Sequence, residues 1–277
     1  MVRRTTTAAC LLAACMAFAL FSTDALATPG SLEFGKCTKA AGGKFKNAGC
    51  TKLAKSAEEQ KFEWAPLSSA VAFTGEKKPL SGKVVLTVAP GSEVSCTGET
   101  QTEGEYGPGS REQKNIVLAF SGCEALGSEC SSASQPAGHV NTLKLHGAPG
   151  IVKKEAKEEK NVDGVDFAGQ TSEVFAEFSC GPIPVVLRGS VIVKVGEIKE
   201  GKFKLLTNKM LNKEPLEFTV TGGKQDPQKF EGEPKDVLEG SVGGGAFEEA
   251  TLTLLEIQKT SPKTVKVELR QCEMNVC

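Results

Sequence analysis

The chain has 277 residues, with 33 Lys and Arg against 34 Asp and Glu, a formal charge of −1, 10 cysteines and only 2 histidines. That balance holds no basic stripe, so nucleic acid and anionic membranes find no electrostatic footing on it. A chain of this length buries enough surface to fold without crosslinks, as one large domain or one domain with a small appendage.

Residues 1–27 read as a secretory signal peptide. Arg3 and Arg4 precede an Ala-rich apolar run to Phe21, and Ala25-Leu26-Ala27 forms a small-x-small cleavage site. The run is too short, and its downstream flank too polar, for a membrane helix of roughly 20 residues. Leu12-Ala13-Ala14-Cys15 offers an alternative, cleavage with lipid attachment at Cys15, although Met16 to Phe21 would then leave an apolar tether. Removing Arg3, Arg4 and Asp24 with the signal shifts the formal charge from −1 to −2. No later stretch reads as a transmembrane anchor, and Asn275-Val276-Cys277 is no hydrophobic tail.

Residues 28–65 read as a small segment of their own, with Cys37 and Cys50 bracketing a Gly-rich turn and Trp64, the only tryptophan, near its end. Pro66 marks the start of the main β region, 66–277. Lys52–Phe62 and Lys153–Lys160 are each long enough for a short helix or a solvated loop. Elsewhere period-two alternation dominates. Ile116, Leu118 and Phe120 share a parity, as do Leu143 and Leu145, Val185 and Leu187, Val191, Val193 and Val195, Leu216, Phe218 and Val220, and Val265, Val267 and Leu269. Strands with one wet and one buried face belong to antiparallel sheets. In Thr251–Ile257 the apolar parity switches at Leu254/Leu255, where a β-bulge would restore the facing. Thirty glycines and thirteen prolines divide these runs into many short strands. The expected fold is all-β, an antiparallel β-sandwich or barrel with a small disulfide-stapled N-terminal segment.

Eight cysteines follow the signal: Cys37, Cys50, Cys96, Cys123, Cys130, Cys180, Cys272 and Cys277. An even count in an exported chain predicts structural disulfides. Parity places Cys96 beside Val94 and Cys180 beside Phe178 on core-facing sides, which suggests Cys96–Cys180. Proximity then suggests Cys123–Cys130, Cys272–Cys277 and Cys37–Cys50. No CxxC occurs and the spacings do not match zinc ligand pairs, so no metal is expected.

Catalytic signatures are sparse. His139 and His146 are seven residues apart and face opposite sides of a straight strand. Gly240-Ser241-Val242-Gly243 has the wrong spacing for a nucleophile elbow. Glu103-Gly104-Glu105 and Glu231-Gly232-Glu233 each place two carboxylates on one strand face, the minimum for glycoside chemistry, or else are solvated edge and turn residues. One Trp and one Tyr (Tyr106) supply few platforms for a sugar. Asp163, Asp166, Asp226 and Asp236 are too few for a calcium loop, and Asp163-Gly164-Val165-Asp166 reads as a turn before an ion site. No Gly-Lys-Ser/Thr is present to cradle a phosphate. No catalytic, cofactor-binding or metal residue is therefore assigned, and no cofactor is expected.

Phe34-Gly35-Lys36-Cys37, Gly43 to Lys52, Lys61-Phe62-Glu63-Trp64, Phe178-Ser179-Cys180-Gly181, Val186 to Val191, Asn208-Lys209-Met210 and Gln228 to Gly232 together resemble secreted, cysteine-containing β-rich proteins of high-GC Gram-positive bacteria. The resemblance implies export and a shared fold, and it brings no activity. The expectation is a secreted or cell-envelope β-protein, non-enzymatic, serving as an interaction or structural module toward an extracellular or envelope partner. The alternatives are a carboxylate-dependent hydrolase, which needs carboxylates converging in a cleft, and a small-ligand carrier, which needs an enclosed apolar cavity.

Overall fold

The computed structural model describes residues 31–77, 83–89, 91–109, 111–157, 161–199, 202–205, 216–220, 225–261 and 265–272. The expected signal peptide lies outside them. The chain runs through β1 (Ser31–Lys39), β2 (Phe62–Pro66), β3 (Val71–Lys77), β4 (Val84–Ala89), β5 (Ser92–Cys96), β6 (Gly98–Tyr106) and β7 (Gln113–Ser121). It continues through β8 (Glu124–Ala125), β9 (Ser128–Ser131), β10 (His139–Asn141), β11 (Leu145–Lys153), β12 (Val162–Gly169), β13 (Val174–Cys180) and β14 (Ile183–Arg188). The last third holds β15 (Ser190–Lys199), β16 (Lys202–Leu205), β17 (Leu216–Val220), β18 (Glu239–Val242), β19 (Glu248–Glu249), β20 (Thr251–Thr260) and β21 (Glu268–Cys272). Of the two segments left open between short helix and solvated loop, Lys52–Phe62 holds one 3-10 turn at Ala57–Glu59, and residues 154–157 form no helix.

The antiparallel pairings close on themselves. They run from β6 to β7, β11, β12, β15, β17, β20 and β3, and back to β6. The result is a nearly closed barrel of eight strands. Its weakest seam is β7–β11, paired at Leu145↔Ile116 and Gly147↔Gln113 only. Inward-facing residues on β12 and β15 are Val165, Phe167, Val191, Val193 and Val195, all 1 % exposed or less.

A half-barrel stands against it, built from the first part of β20 with β4, β5, β8, β9, β13, β14, β18 and β19. β18 returns to within van der Waals reach of β4, where a Cβ on Gly240 would strike the Val88 carbonyl. Apolar side chains of both units belong to one continuous core that includes Val165 and Phe167 on one side and Val84, Leu187 and Leu252 on the other. β20 serves both units. Thr251–Thr253 pair with β4, and Leu254–Gln258 pair with β17 without a register shift. The bulge expected at Leu254/Leu255 is therefore absent from that pairing. Thr251, Leu252, Gln258 and Thr260 are buried.

The N-terminal β1 pairs with β2 on one side and β21 on the other. Phe45, Cys50, Trp64 and Cys272 form a small cluster of their own. Leu32 and Phe34 of β1, however, join the main core, where Phe34 lies 5.1 Å from the Tyr106 ring. Arg270 ties the segment down, donating to the carbonyls of Gly49 (3.0 Å) and Cys50 (3.1 Å) and pairing with Glu268 at 2.7 Å.

Cys37–Cys50 forms as expected. The expected Cys96–Cys180 and Cys123–Cys130 pairings are corrected: the bridges are Cys96–Cys123 and Cys130–Cys180, each with Cα atoms 4.0 Å apart. Parity located Cys96 and Cys180 on buried faces but could not name their neighbours. Ser95↔Glu124 pairing brings Cys123 beside Cys96, and Cys130 stands directly opposite Cys180 across β9–β13. Cys272 is disulfide-bonded. Its expected partner, Cys277, lies outside the described residues.

Candidate functional site

The chain passes between the two units twice within 25 residues, from β12 to β13 and from β14 to β15, and an open cleft of about 740 Å³ lies at these crossings. Its floor is Ala168 and Gly169 at the end of β12 and Arg188-Gly189-Ser190 between β14 and β15. One wall is the turn from Gln170 to Glu173, and the other is Lys235, Asp236, Val237 and Glu239. Ligand sites favour such junctions between packed units. Gly189 is required at the floor: its φ is +87° and a Cβ there would strike the Val237 carbonyl.

The second wall belongs to a strap, residues 225–238, laid across the outside of the barrel. Gln225 fastens it, donating to the Ser190 carbonyl at 3.2 Å and accepting from the Leu238 amide at 3.2 Å. Phe230 covers Gly150, whose missing side chain leaves room for the ring. The Glu231 amide donates to the Ile151 carbonyl at 2.7 Å.

Beneath the strap, Asp163-Gly164-Val165-Asp166 is strand and not the expected turn, because β12 is paired on both sides, by β11 and β15. Alternation then sends its two aspartates opposite ways. Asp163 shares the inward parity of Val165 and Phe167, is 0 % exposed, and neither carboxyl oxygen has a hydrogen-bond partner. Burial pushes its pKa up to about 8. Asp166 faces outward toward the strap. Burial, with the charges of Asp236 and Glu233 behind it, raises its pKa to about 6, and the nearby Ser190 hydroxyl tempers the rise. Ser190 is itself 0 % exposed. The lining cations are engaged: Arg188 with Glu239 at 2.8 Å while it stacks on Phe247 at 3.8 Å, and Lys235 with Glu249 at 3.3 Å.

At the opposite end of the half-barrel, hairpin tips gather. The β8–β9 turn is Leu126-Gly127, both at positive φ (+49° and +80°), the pattern of a tight two-residue hairpin. Leu126 is 98 % exposed, in a backbone region that leucine avoids. The neighbouring tip is Gly181-Pro182, followed by Ile183 at 46 % exposure. The Gly181 amide donates to the Glu129 carbonyl at 3.2 Å, and the Gly243 amide of the β18–β19 loop donates to the Pro184 carbonyl at 2.8 Å, which locks the three tips side by side. Behind Leu126, Glu124 and Glu129 pair directly across the hairpin, and both are exposed. Like charges in that position destabilise a hairpin.

The other residues weighed from sequence are dispersed. His139 is exposed at the start of β10, and His146 sits half-buried on β11. Glu105 accepts from Asn115 Nδ2 at 2.8 Å, while the side chain of Glu103 lies outside the described residues. Glu231 and Glu233 flank Gly232 in a turn of the strap and not on a strand face. Ser241 Oγ donates to the Gly245 carbonyl at 2.7 Å, closing its own loop. Leu143, expected inside, is 42 % exposed, because β10 ends at Asn141 and Leu145 opens β11. Lined by Val84, Leu86, Val94, Phe175, Phe178 and Leu187 among others, the cavity inside the half-barrel has a volume of about 20 Å³. That is far below the roughly 300 Å³ at which small-ligand pockets begin.

Sequence reasoning passed over Ser190 and Leu126 and placed Asp166 in a turn. Reading Asp163-x-Val165-x-Phe167 as alternation would have signalled the strand and placed Asp166 on its outer face. Leu126, a lone leucine in a Gly/Ser/Glu loop, carries no periodicity to flag it.

Comparison of the chain with protein-family models, with curated proteins and with solved structures returns no match.

Proposed function

We propose that this is an exported, non-enzymatic interaction module that docks a protein partner through the hairpin tips of its half-barrel. The observation that carries this reading is Leu126: a leucine almost wholly in water, held at positive φ on a tip anchored by two disulfides. A single exposed leucine is ordinary, but one held in a backbone conformation that costs it energy is the kind of strain that gathers at binding sites. Glu93, Glu124 and Glu129 surround the tip, all exposed, and no ion pair among the described residues engages them. The partner therefore presents an apolar pocket rimmed by Lys or Arg. An acidic collar also disfavours an anionic lipid surface.

Export rests on residues 1–27 and on the disulfides, which persist in oxidising compartments. No helix among the described residues is long and apolar enough to cross a membrane.

The test is retention of a partner from native envelope and culture fluid by the immobilised protein. A partner held by the wild type, lost with Leu126→Asp and weakened about tenfold with Glu124→Gln/Glu129→Gln supports the proposal, with the residual binding less sensitive to salt. The same partner bound equally by Leu126→Asp, or recovery only of a chemically altered substrate, would overturn it.

A further inference from the structure

We infer that the partner received by the hairpin tips is a second copy of this chain, whose N-terminal segment offers Leu53 and a set of unpaired lysines to the Leu126 tip. The inference rests on the docking reading above and names its partner.

Leu126 and Leu53 are the two most exposed large apolar side chains among the described residues, at 98 % and 66 %. Both lie uncovered in one monomer, so neither buries the other within a chain. Leu53 stands at the margin of a small sheet. A row of antiparallel pairs, Leu53↔Phe45, Phe45↔Phe62 and Phe62↔Lys39, links it to β1. Phe45 and Phe62 pack against Trp64 and Cys50, whereas Leu53, last in the row, has no described strand beyond it. The result is an apolar ledge left open to water.

Charge selects what meets that ledge. Residues 31–66 hold seven lysines and four glutamates. Three of those glutamates are taken: Glu33 by Arg111 at 3.1 Å, Glu59 by Lys46 at 3.4 Å and Glu63 by Lys44 at 3.7 Å. Lys36, Lys39, Lys52, Lys55 and Lys61 are left without an ion pair among the described residues, against Glu58 alone. Lys52 precedes Leu53 and Lys55 follows two residues later, both exposed. Lys39 stands three strand spacings along the row, about 15 Å from Leu53, with Lys61 beside Phe62 between them. At the tip the sign is reversed: exposed Glu124 lies two residues before Leu126 and exposed Glu129 three after, with Glu93 on the neighbouring strand.

Each leucine thus carries the collar that the other's collar attracts. Tip against tip, or ledge against ledge, would bring like charges together; tip against ledge pairs opposite ones. The tip is already fixed by its disulfides, so little ordering opposes the contact. Joining two different patches is a heterologous arrangement. Every copy then keeps one free tip and one free ledge, and the assembly extends beyond two chains.

Sedimentation of the intact, oxidised protein tests this. The apolar centre is small, in the class of weak interfaces under about 1,200 Å², so assembly is expected at about 0.1 mM. Average mass should rise past two chains with concentration, and affinity should fall about tenfold as salt goes from about 0.05 M to about 0.5 M. Leu126→Asp, which keeps the ledge, and Lys52→Glu/Lys55→Glu, which keeps the tip, should each be monomeric alone. Mixed in equal amounts they should form a pair and grow no further. Aspartate tolerates positive φ, and thermal melts establish that both variants are folded. Wild type that stays monomeric at about 1 mM overturns the inference, while the docking reading is then judged by whether Leu126→Asp loses some other envelope protein. Assembly unchanged by either variant, or a mixture that grows past two chains, overturns it as well.

Discussion

The barrel and the half-barrel share a core and a strand, yet their interiors are furnished differently. The half-barrel is filled by aliphatic and aromatic side chains from Val84 to Leu252 and fastened by Cys96–Cys123 and Cys130–Cys180. The barrel contains none of the described disulfides and buries polar groups. Gln258 Oε1 accepts from Tyr106 Oη and Gln113 Nε2, both at 3.0 Å, and Asp163, also buried, shares the inward parity of Val165 and Phe167. Apolar packing and crosslinks are nearly indifferent to pH. A buried carboxyl is not. The half-barrel thus offers a fixed platform for its tips, whereas the barrel's stability depends on protonation, chiefly that of Asp163.

The comparison breaks most severely if the crosslinks go. Replacing Cys130 and Cys180 by alanine opens a loop with a sequence separation of 50, and the chain-entropy relation predicts a loss of about 4 kcal/mol. Chemical denaturation of the variant against wild type measures it. A loss confined to under about 1 kcal/mol would mean that packing alone holds the half-barrel.

Next comes the proton on Asp163. Its folded pKa, about 8, lies above the value near 3.8 of a free carboxyl, so the native state keeps a proton that the unfolded chain releases. Stability is then greatest below about pH 4 for this group and falls as pH rises toward 8. Asp166, raised to about 6, contributes the same sign over a narrower window. Asp163→Asn should be about 3 kcal/mol more stable than wild type at pH 6 and nearly equal at pH 4. Melts at the two pH values decide it, and a difference of the same size at both would remove ionisation as the cause.

The smallest effect is expected from Tyr106→Phe. It removes one donor from Gln258 while Gln113 Nε2 still serves the same oxygen, so the loss should be about 1 kcal/mol. A loss above roughly 3 kcal/mol would show that the polar cluster acts as a cooperative network.

How far the sequence foretold this architecture varies with the kind of information. Alternation placed Ile116, Leu118, Phe120, Val191, Val193 and Val195 inside correctly, because burial on a strand is a local, period-two property. It failed at Asp163–Asp166, where Gly and Asp read as a turn: pairing with β11 and β15 overrides that preference, and pairing is not local. The disulfide error has the same origin. Facing was readable from Val94 and Phe178, but adjacency between β5 and β8, or β9 and β13, depends on register across the sheet. The cleft was illegible for a further reason. Its parts come from residues 168–173, 188–190 and 235–239, and only the two crossings and the strap unite them.

β20 carries a mechanical consequence. Its first residues are bonded into the half-barrel and its remainder into the barrel, so tension along this strand would shear both ladders together and could not unzip either from an edge. A protein anchored at its tips and pulled from the barrel side would transmit force through that strand, and would resist as one body until it ruptured.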